Sequence, residues 1–145
     1  MLIYLDNCCF NRPYDEQSHA NIFLETQAKL FIQDNILTGR YQLVWSYILQ
    51  YENDQNPYIN RKHEIRKWKD HASHFVDASA EITEQAKIYQ AIGLHTKDAL
   101  HCACAVSIGA NYFITTDKQL IKIARNITEL SVINPLTFIQ EETNP

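Results

Sequence analysis

The sequence predicts an α/β protein: a parallel sheet with helices over both faces. Three observations carry this. Short apolar runs recur, LIYL at 2–5, YQLVW at 41–45 and YFIT at 112–115, without the polar alternation of a half-exposed strand. Segments with helical spacing separate them. The chain is 145 residues long, 46% hydrophobic and 21% charged, enough to bury a core without disulfides or a structural metal, and it reads as a single domain over 1–145.

The elements follow in order. Leu2–Leu5 is the first strand, broken by Asp6-Asn7. Ser18 to Leu37 carries Ile22, Leu24, Ala28, Phe31 and Ile32 near helical spacing, and Gly39 is its stop. Tyr41–Trp45 is the second strand. Ser46 caps a helix holding Ile48, Leu49 and Glu52. Pro57 interrupts, and Tyr58–His71 resumes as a helix. Phe75–Asp77 is a weak strand. Ile82–Ile92 is a helix ending at Gly93, and Thr96 is the expected cap of a helix over Lys97–Ile108, ended by Gly109. Tyr112–Thr115 is a strand, Lys118–Ala124 a helix and Leu130–Ile133 the last strand.

Composition excludes several classes. With glycine only at 39, 93 and 109, no Gly-rich phosphate loop can be assembled. The net charge of −4 argues against holding nucleic acid by bulk positive charge. No apolar run approaches the ~18–20 residues of a membrane span, and Met1 runs into LIYL without the basic segment of a signal peptide. Cys8, Cys9, Cys102 and Cys104 form no C-x-x-C pair, and on a helix Cys102 and Cys104 point ~200° apart. They read as reduced, buried cysteines of a cytosolic protein.

Four carboxylates fall at element junctions. Asp6 follows the first strand and Asp117 the YFIT strand, so both belong at the carboxyl edge of a parallel sheet, where such sheets gather function. Glu52 lies on the helix capped by Ser46. Asp98 opens the helix after Thr96, which is expected to start at the opposite edge unless it is short and tilted. Clustered carboxylates oppose each other's ionisation unless a divalent cation neutralises them. A hard ion held this way leaves positions open for water and phosphate oxygens. Asn7, Ser46, Thr115 and Thr116 are the hydroxyl and amide groups able to orient acids or waters. Against this stands the plainer reading of Asp6 and Asp117 as turn and cap residues.

These residues resemble a family. IYLDNCCFNRP, SYILQYE and KDALHCACAVSIGANYFITTDKQL look like the PIN-domain ribonucleases, over most of the chain. The last segment is the most specific: an acid opening a small-residue helix, a Gly-Ala turn, a hydrophobic strand, then T-x-D. The resemblance implies a three-layer α/β/α sandwich with a central, mostly parallel sheet. It implies an endoribonuclease using Mg²⁺ or Mn²⁺, in many cases a VapC-like toxin with an antitoxin partner, and often a homodimer. It places the family's acids on Asp6, Glu52, Asp98 and Asp117, and the threonine of its T-x-D on Thr115. It also brings Asp98 to the site. Asn7-Cys8 and Gln119 depart from the usual pattern; fewer ligands for a second ion make one tightly held ion the expectation.

On this reading Asp6, Asp98 and Asp117 hold the metal, and Glu52 orients or deprotonates the attacking water. His101, one turn past Asp98, is either a partner of an active-site acid or a satisfied core histidine. NRKHEIRKWKD at 60–70 carries Arg61, Lys62, Arg66, Lys67 and Lys69; it is a solvated amphipathic helix or a phosphate-facing surface. Arg12, Lys97 and Lys118 flank the acids as candidate substrate contacts. Two other readings stand beside the ribonuclease: a non-catalytic RNA- or protein-binding module, and a phosphoryl transferase working through an aspartyl-phosphate on Asp6.

Overall fold

Apolar runs without alternation pair as strands only where both sheet faces are covered, and the three clearest runs become the central strands. In the computed structural model, which describes residues 1–143, β1 (Leu2–Leu5), β2 (Gln42–Ser46), β3 (Ala72–Val76), β4 (Tyr112–Ile114) and β5 (Ser131–Ile133) form one sheet. Its order is β3-β2-β1-β4-β5, with every pair parallel. The helices are α1 (Asn7–Asn11), α2 (Ala20–Leu37), α3 (Tyr47–Asp54), α4 (Ile59–Arg66), α5 (Ala80–Ala91), α6 (Thr96–Ser107), α7 (Lys118–Ala124) and α8 (Pro135–Thr143). Successive residues Ile3, Tyr4 and Leu5, and Leu43, Val44 and Trp45, are all fully buried, so helices cover both faces of the centre.

Register positions the site. Leu5 pairs with Ile114, and the Asp6 N–H donates to the Ile114 carbonyl at 2.9 Å. Asp6 and Thr115 therefore leave adjacent strands side by side. α6 then runs from the carboxyl edge, where Asp98 and Asp117 line one cleft, to the amino edge, where the Asn111 N–H meets the Leu2 carbonyl at 2.8 Å. This corrects the expectation for Asp98: a helix that feeds a parallel strand runs antiparallel to it and so begins at the carboxyl edge, with no special tilt. Gly93 (φ +114°) and Gly109 (φ +71°) bound α6 with left-handed backbone that a side chain disfavours.

Other expectations are corrected. The helix over 58–71 is α4 followed by a 3₁₀ turn at Lys67–His71. The weak strand lies at Ala72–Val76, not 75–77; it is the sheet edge, and Ser73, His74 and Phe75 are exposed, so it lacks an apolar run. Thr96 is the first residue of α6 rather than its cap, which is His95 without a side-chain capping bond. Two helices were unforeseen. α1 is a single short turn capped by Asp6. α8 opens on Asn134-Pro135, a start signal, and buries Phe138 edge-on to Tyr41 and Tyr112, with ring centroids 5.3 and 5.2 Å apart.

α2 buries an unexpected face. Leu24 is 46% exposed, whereas Glu25, Thr26, Lys29 and Gln33 are buried beside Ala28, Ile32 and Ile36. Glu25 is satisfied by Arg12 Nε at 3.1 Å and Asn134 Nδ2 at 2.7 Å. Lys29 faces the rings of Phe10 and Trp68 at 5.4 and 5.7 Å, and burial lowers its pKa from 10.5 to about 7. Because its folded pKa lies below the unfolded one, the unfolded chain binds the extra proton between pH 7 and 10.5. Stability therefore rises across that window. Lys29→Met is expected to stabilise the protein at pH 6 by on the order of 2–4 kcal/mol and to flatten that rise, measured by urea unfolding at several pH values. An unchanged slope would show that Lys29 carries no such penalty.

Candidate functional site

Each acid is placed by the local chemistry of its element. Asp6 leaves β1 in extended backbone and caps α1, its Oδ1 accepting from the Asn7 N–H at 2.8 Å. Its Oδ2 accepts from the Thr115 hydroxyl at 2.7 Å and sits 3.5 Å from Cys8 Sγ. Asp117 leaves β4 and caps α7, Oδ1 accepting from Gln119 and Leu120 N–H groups at 3.0 Å each, while its own N–H donates to Thr115 Oγ1 at 3.1 Å. The cap reading of Asp6 and Asp117 therefore holds, and it is also what aims them. Thr115 ties the two acids together from beneath.

Asp98, in the first turn of α6, shares a narrow cleft of about 80 Å³ with Asp117. Its carboxyl is pushed from 3.8 up to about 6, first by burial, then by the charges of Asp6, Asp117 and Glu52, with His101 opposing. Asp98 thus feels the other three charges, but the acids fall into two parts: Asp98 and Asp117 line the cleft, and Asp6 and Glu52 come together with His101. Glu52, on α3, contributes its Oε1 to a hydrogen bond with His101 Nε2.

His101 is fully buried. Its Nε2 lies 3.9 Å from Asp6 Oδ1, and the ligand-bearing atoms of Asp6, Glu52 and His101 all fall within 4.8 Å of one another. Its Nδ1 meets the Tyr4 hydroxyl at 2.6 Å, and that hydroxyl meets Ser46 Oγ, also at 2.6 Å. Burial works against the imidazolium, but the hydrogen bond to Glu52 and the charges of Asp6, Glu52 and Asp98 outweigh it, so the pKa lies above its ordinary value. The histidine is both core residue and acid partner. Tyr4 escaped the sequence reading; its one signal is a phenol inside an otherwise aliphatic strand, since a buried hydroxyl needs a partner.

The remaining candidates separate. Ser46 caps α3 through the Leu49 N–H at 3.2 Å and reaches the acids only through Tyr4 and His101. Asn7 holds Asp6 with its backbone, and its buried side-chain Oδ1 has no donor among the described residues. Thr116 makes its contact through its backbone, N–H to Cys8 Sγ at 3.4 Å, and lines a groove of about 650 Å³ beside Asp117. Arg12, Asn21, Glu25, Lys118 and Asn134 line the same groove. Arg12 is also paired with Asp15 at 3.0 Å and Glu25 at 3.1 Å. Lys97 lies over the Tyr51 ring at 5.6 Å. Arg61 is occupied by the Tyr14 carbonyl at 3.0 Å and the Tyr58 ring at 4.3 Å. Lys62, Arg66 and Lys69 line neither the groove nor the acidic cleft. All four cysteines are free, and Cys8 is only half-buried.

The donor set suits a divalent metal. Carboxylate oxygens dominate, Asp98 is raised by burial and by its acidic neighbours, and the Asn7 side-chain Oδ1 is an acceptor without a donor among the described residues. Among the described residues, Asp6, Glu52 and His101 are the group whose ligand atoms lie close enough to share an ion, while Asp98 and Asp117 line the cleft.

No protein-family model matches the chain, and no curated protein matches it in sequence. A solved structure does match in shape. A chain of the crystal structure of VapBC2 from Rickettsia felis, bound to a DNA fragment from their promoter, aligns with a TM-score of 0.56 at 15% identity, covering 92% of this chain and 98% of that one. Among the described residues no helix is long and apolar enough to cross a membrane. At this identity the likeness is one of architecture, and with the all-parallel sheet and its flanking helices it shows that the chain has the PIN-like α/β/α fold.

Proposed function

We propose that the chain is a divalent-metal-dependent endoribonuclease. The observation that carries this is the set of acids at one sheet edge: Asp6 and Glu52, whose ligand atoms lie within 4.8 Å of one another, and Asp98 and Asp117, which share a cleft. A cluster of this kind costs stability unless it serves a cation. Asp6, Asp98 and Asp117 hold Mg²⁺ or Mn²⁺, and Asn7 and Thr115 keep Asp6 oriented. When bound, the ion polarises water and offsets charge on the phosphodiester. Glu52 accepts the proton of the attacking water. The test is a metal-dependence assay on mixed RNA, with EDTA as the control. Absence of turnover, together with no metal-dependent stabilisation, would favour the non-catalytic binding module.

The groove beside Asp117 takes the RNA strand, with Lys118 and Arg12 meeting its phosphates. Lys118→Glu is expected to raise KM several-fold with kcat little changed and to lower the salt slope of binding by about 1. A KM equal to wild type would remove the groove from the substrate path.

The reading extends to a protein partner. α2 leaves Phe23, Leu30 and Leu37 exposed at 47%, 40% and 56%, one heptad apart, an apolar stripe that another helix would cover. An antitoxin or a second copy of the chain fits it; the matched structure is named as VapBC2 bound to a DNA fragment from their promoter. Size-exclusion chromatography of the chain alone and with the product of an adjacent small reading frame separates the two.

A further inference from the structure

We propose that His101 is a positioning residue that fixes Glu52 for proton transfer, braced from below by Tyr4 and Ser46. The inference rests on the ribonuclease reading and deepens it. Four elements supply the brace: Ser46 from the end of β2, Tyr4 from β1, His101 from α6 and Glu52 from α3. Ser46 Oγ accepts the Leu49 N–H at 3.2 Å, Ser46 Oγ and the Tyr4 hydroxyl lie 2.6 Å apart, and the Tyr4 hydroxyl lies 2.6 Å from His101 Nδ1.

Donor arithmetic sets the direction of the last bond. If the imidazole is neutral, Tyr4 donates to Nδ1 and the one ring proton sits on Nε2. If it is charged, Nδ1–H donates to the Tyr4 oxygen and Nε2 still carries a proton. The remaining tautomer would point a nitrogen lone pair at the Glu52 carboxylate, which repels it. In both permitted states Nε2–H donates to Glu52 Oε1. Oε2 is then the oxygen left to take a proton from water.

The brace matters because Glu52 is a long, half-buried side chain on a helix of only eight residues. Unheld, it would sample several rotamers. The ring is fully buried between Tyr4 and Phe113, edge-on to each at 5.6 and 6.1 Å, and so cannot swing away. It sits one turn deeper on α6 than Asp98, under the acids rather than in the cleft with them.

The test compares two substitutions. His101→Asn keeps an amide near Nδ1 for Tyr4 but loses the donor to Glu52; His101→Gln places an amide near Nε2. Expected for His101→Asn is a kcat lower by about 10–100-fold with KM unchanged, the range typical of lost outer-shell partners. His101→Gln recovers most of it. Thermal stabilisation by Mn²⁺ stays the same in both. Tyr4→Phe, which keeps the ring in place, lowers kcat several-fold and serves if His101→Asn does not fold. Independently of activity, ¹H–¹⁵N spectra of the wild type should show an exchange-protected Nε2–H that Glu52→Ala exposes. Wild-type kcat in both His101→Asn and Tyr4→Phe overturns the inference, as does an unprotected Nε2–H. Loss of Mn²⁺ stabilisation in His101→Asn also overturns it, because the ring would then be a ligand. No RNA cleavage by the wild type, with the protected proton present, overturns the ribonuclease reading and leaves the brace standing.

Discussion

Asp6→Asn is expected to lower RNA cleavage by about 10³-fold, equivalent to about 4 kcal/mol of barrier, while the fold survives. Asp6 is where the site is most constrained. Both its oxygens are held, by the Asn7 N–H and the Thr115 hydroxyl, and it is 6% exposed. An amide at this position keeps the shape but removes one anionic donor, and its NH₂ must displace one of the two existing hydrogen bonds. Without metal, the variant should lose less stability than that lost bond implies, because repulsion on Asp98 falls with the charge. Asp98 should then titrate closer to the ordinary carboxylate range, an effect measurable by NMR because Asp6 is the leading charge behind its raised pKa. Cleavage by purified Asp6→Asn at the wild-type rate would refute the assignment of the site.

The second large effect is metal-dependent stability with a definite pH signature. Mn²⁺ at about 100 times its Kd adds about 2.7 kcal/mol, or a Tm rise of about 5–10 °C at about 2–4 °C per kcal/mol. The sign with pH follows from Asp98, whose folded pKa of about 6 lies above its ordinary 3.8. A raised carboxyl stabilises the metal-free fold at low pH, and that stability is lost as pH rises from 4 through 6. A cation needs the deprotonated form, so the Mn²⁺-induced rise should be larger at pH 7.5 than at pH 5. Differential scanning calorimetry at the two values, with and without Mn²⁺, measures both slopes. Equal Mn²⁺ shifts at the two pH values would separate Asp98 from the metal.

Much of this arrangement is legible in the residues, for identifiable reasons. LIYL, QLVW and YFI become central parallel strands because an unbroken apolar run can be solvated on neither face. Asp6 and Asp117 could be assigned to one edge because each follows such a strand directly. The basic stretch at 60–70 was legible as a composition but not as a surface. Its helix stops at Arg66, and Arg61 is engaged at the surface by the exposed Tyr14 and Tyr58. The buried face of α2 is not legible in the sequence because hydropathy treats Glu25 and Lys29 as surface residues. Arg12 and Asn134 satisfy the first, and the rings of Phe10 and Trp68 receive the second.

The bulk charge of −4 is uninformative about partners here, because several of the acids are concentrated at one edge of the sheet. What the sequence by itself determined is therefore the class of fold, the order of the central elements and the placing of Asp6 and Asp117 at strand ends, since hydrophobic periodicity and strand-end chemistry are local properties. What only the tertiary structure decided is which residues touch. Asp98 reaches the carboxyl edge because α6 must run antiparallel to the strand it feeds. Glu52 meets His101, 49 positions away, because α3 and α6 pack against each other at that edge. Pairings at that separation depend on the register of one sheet, which no local pattern encodes.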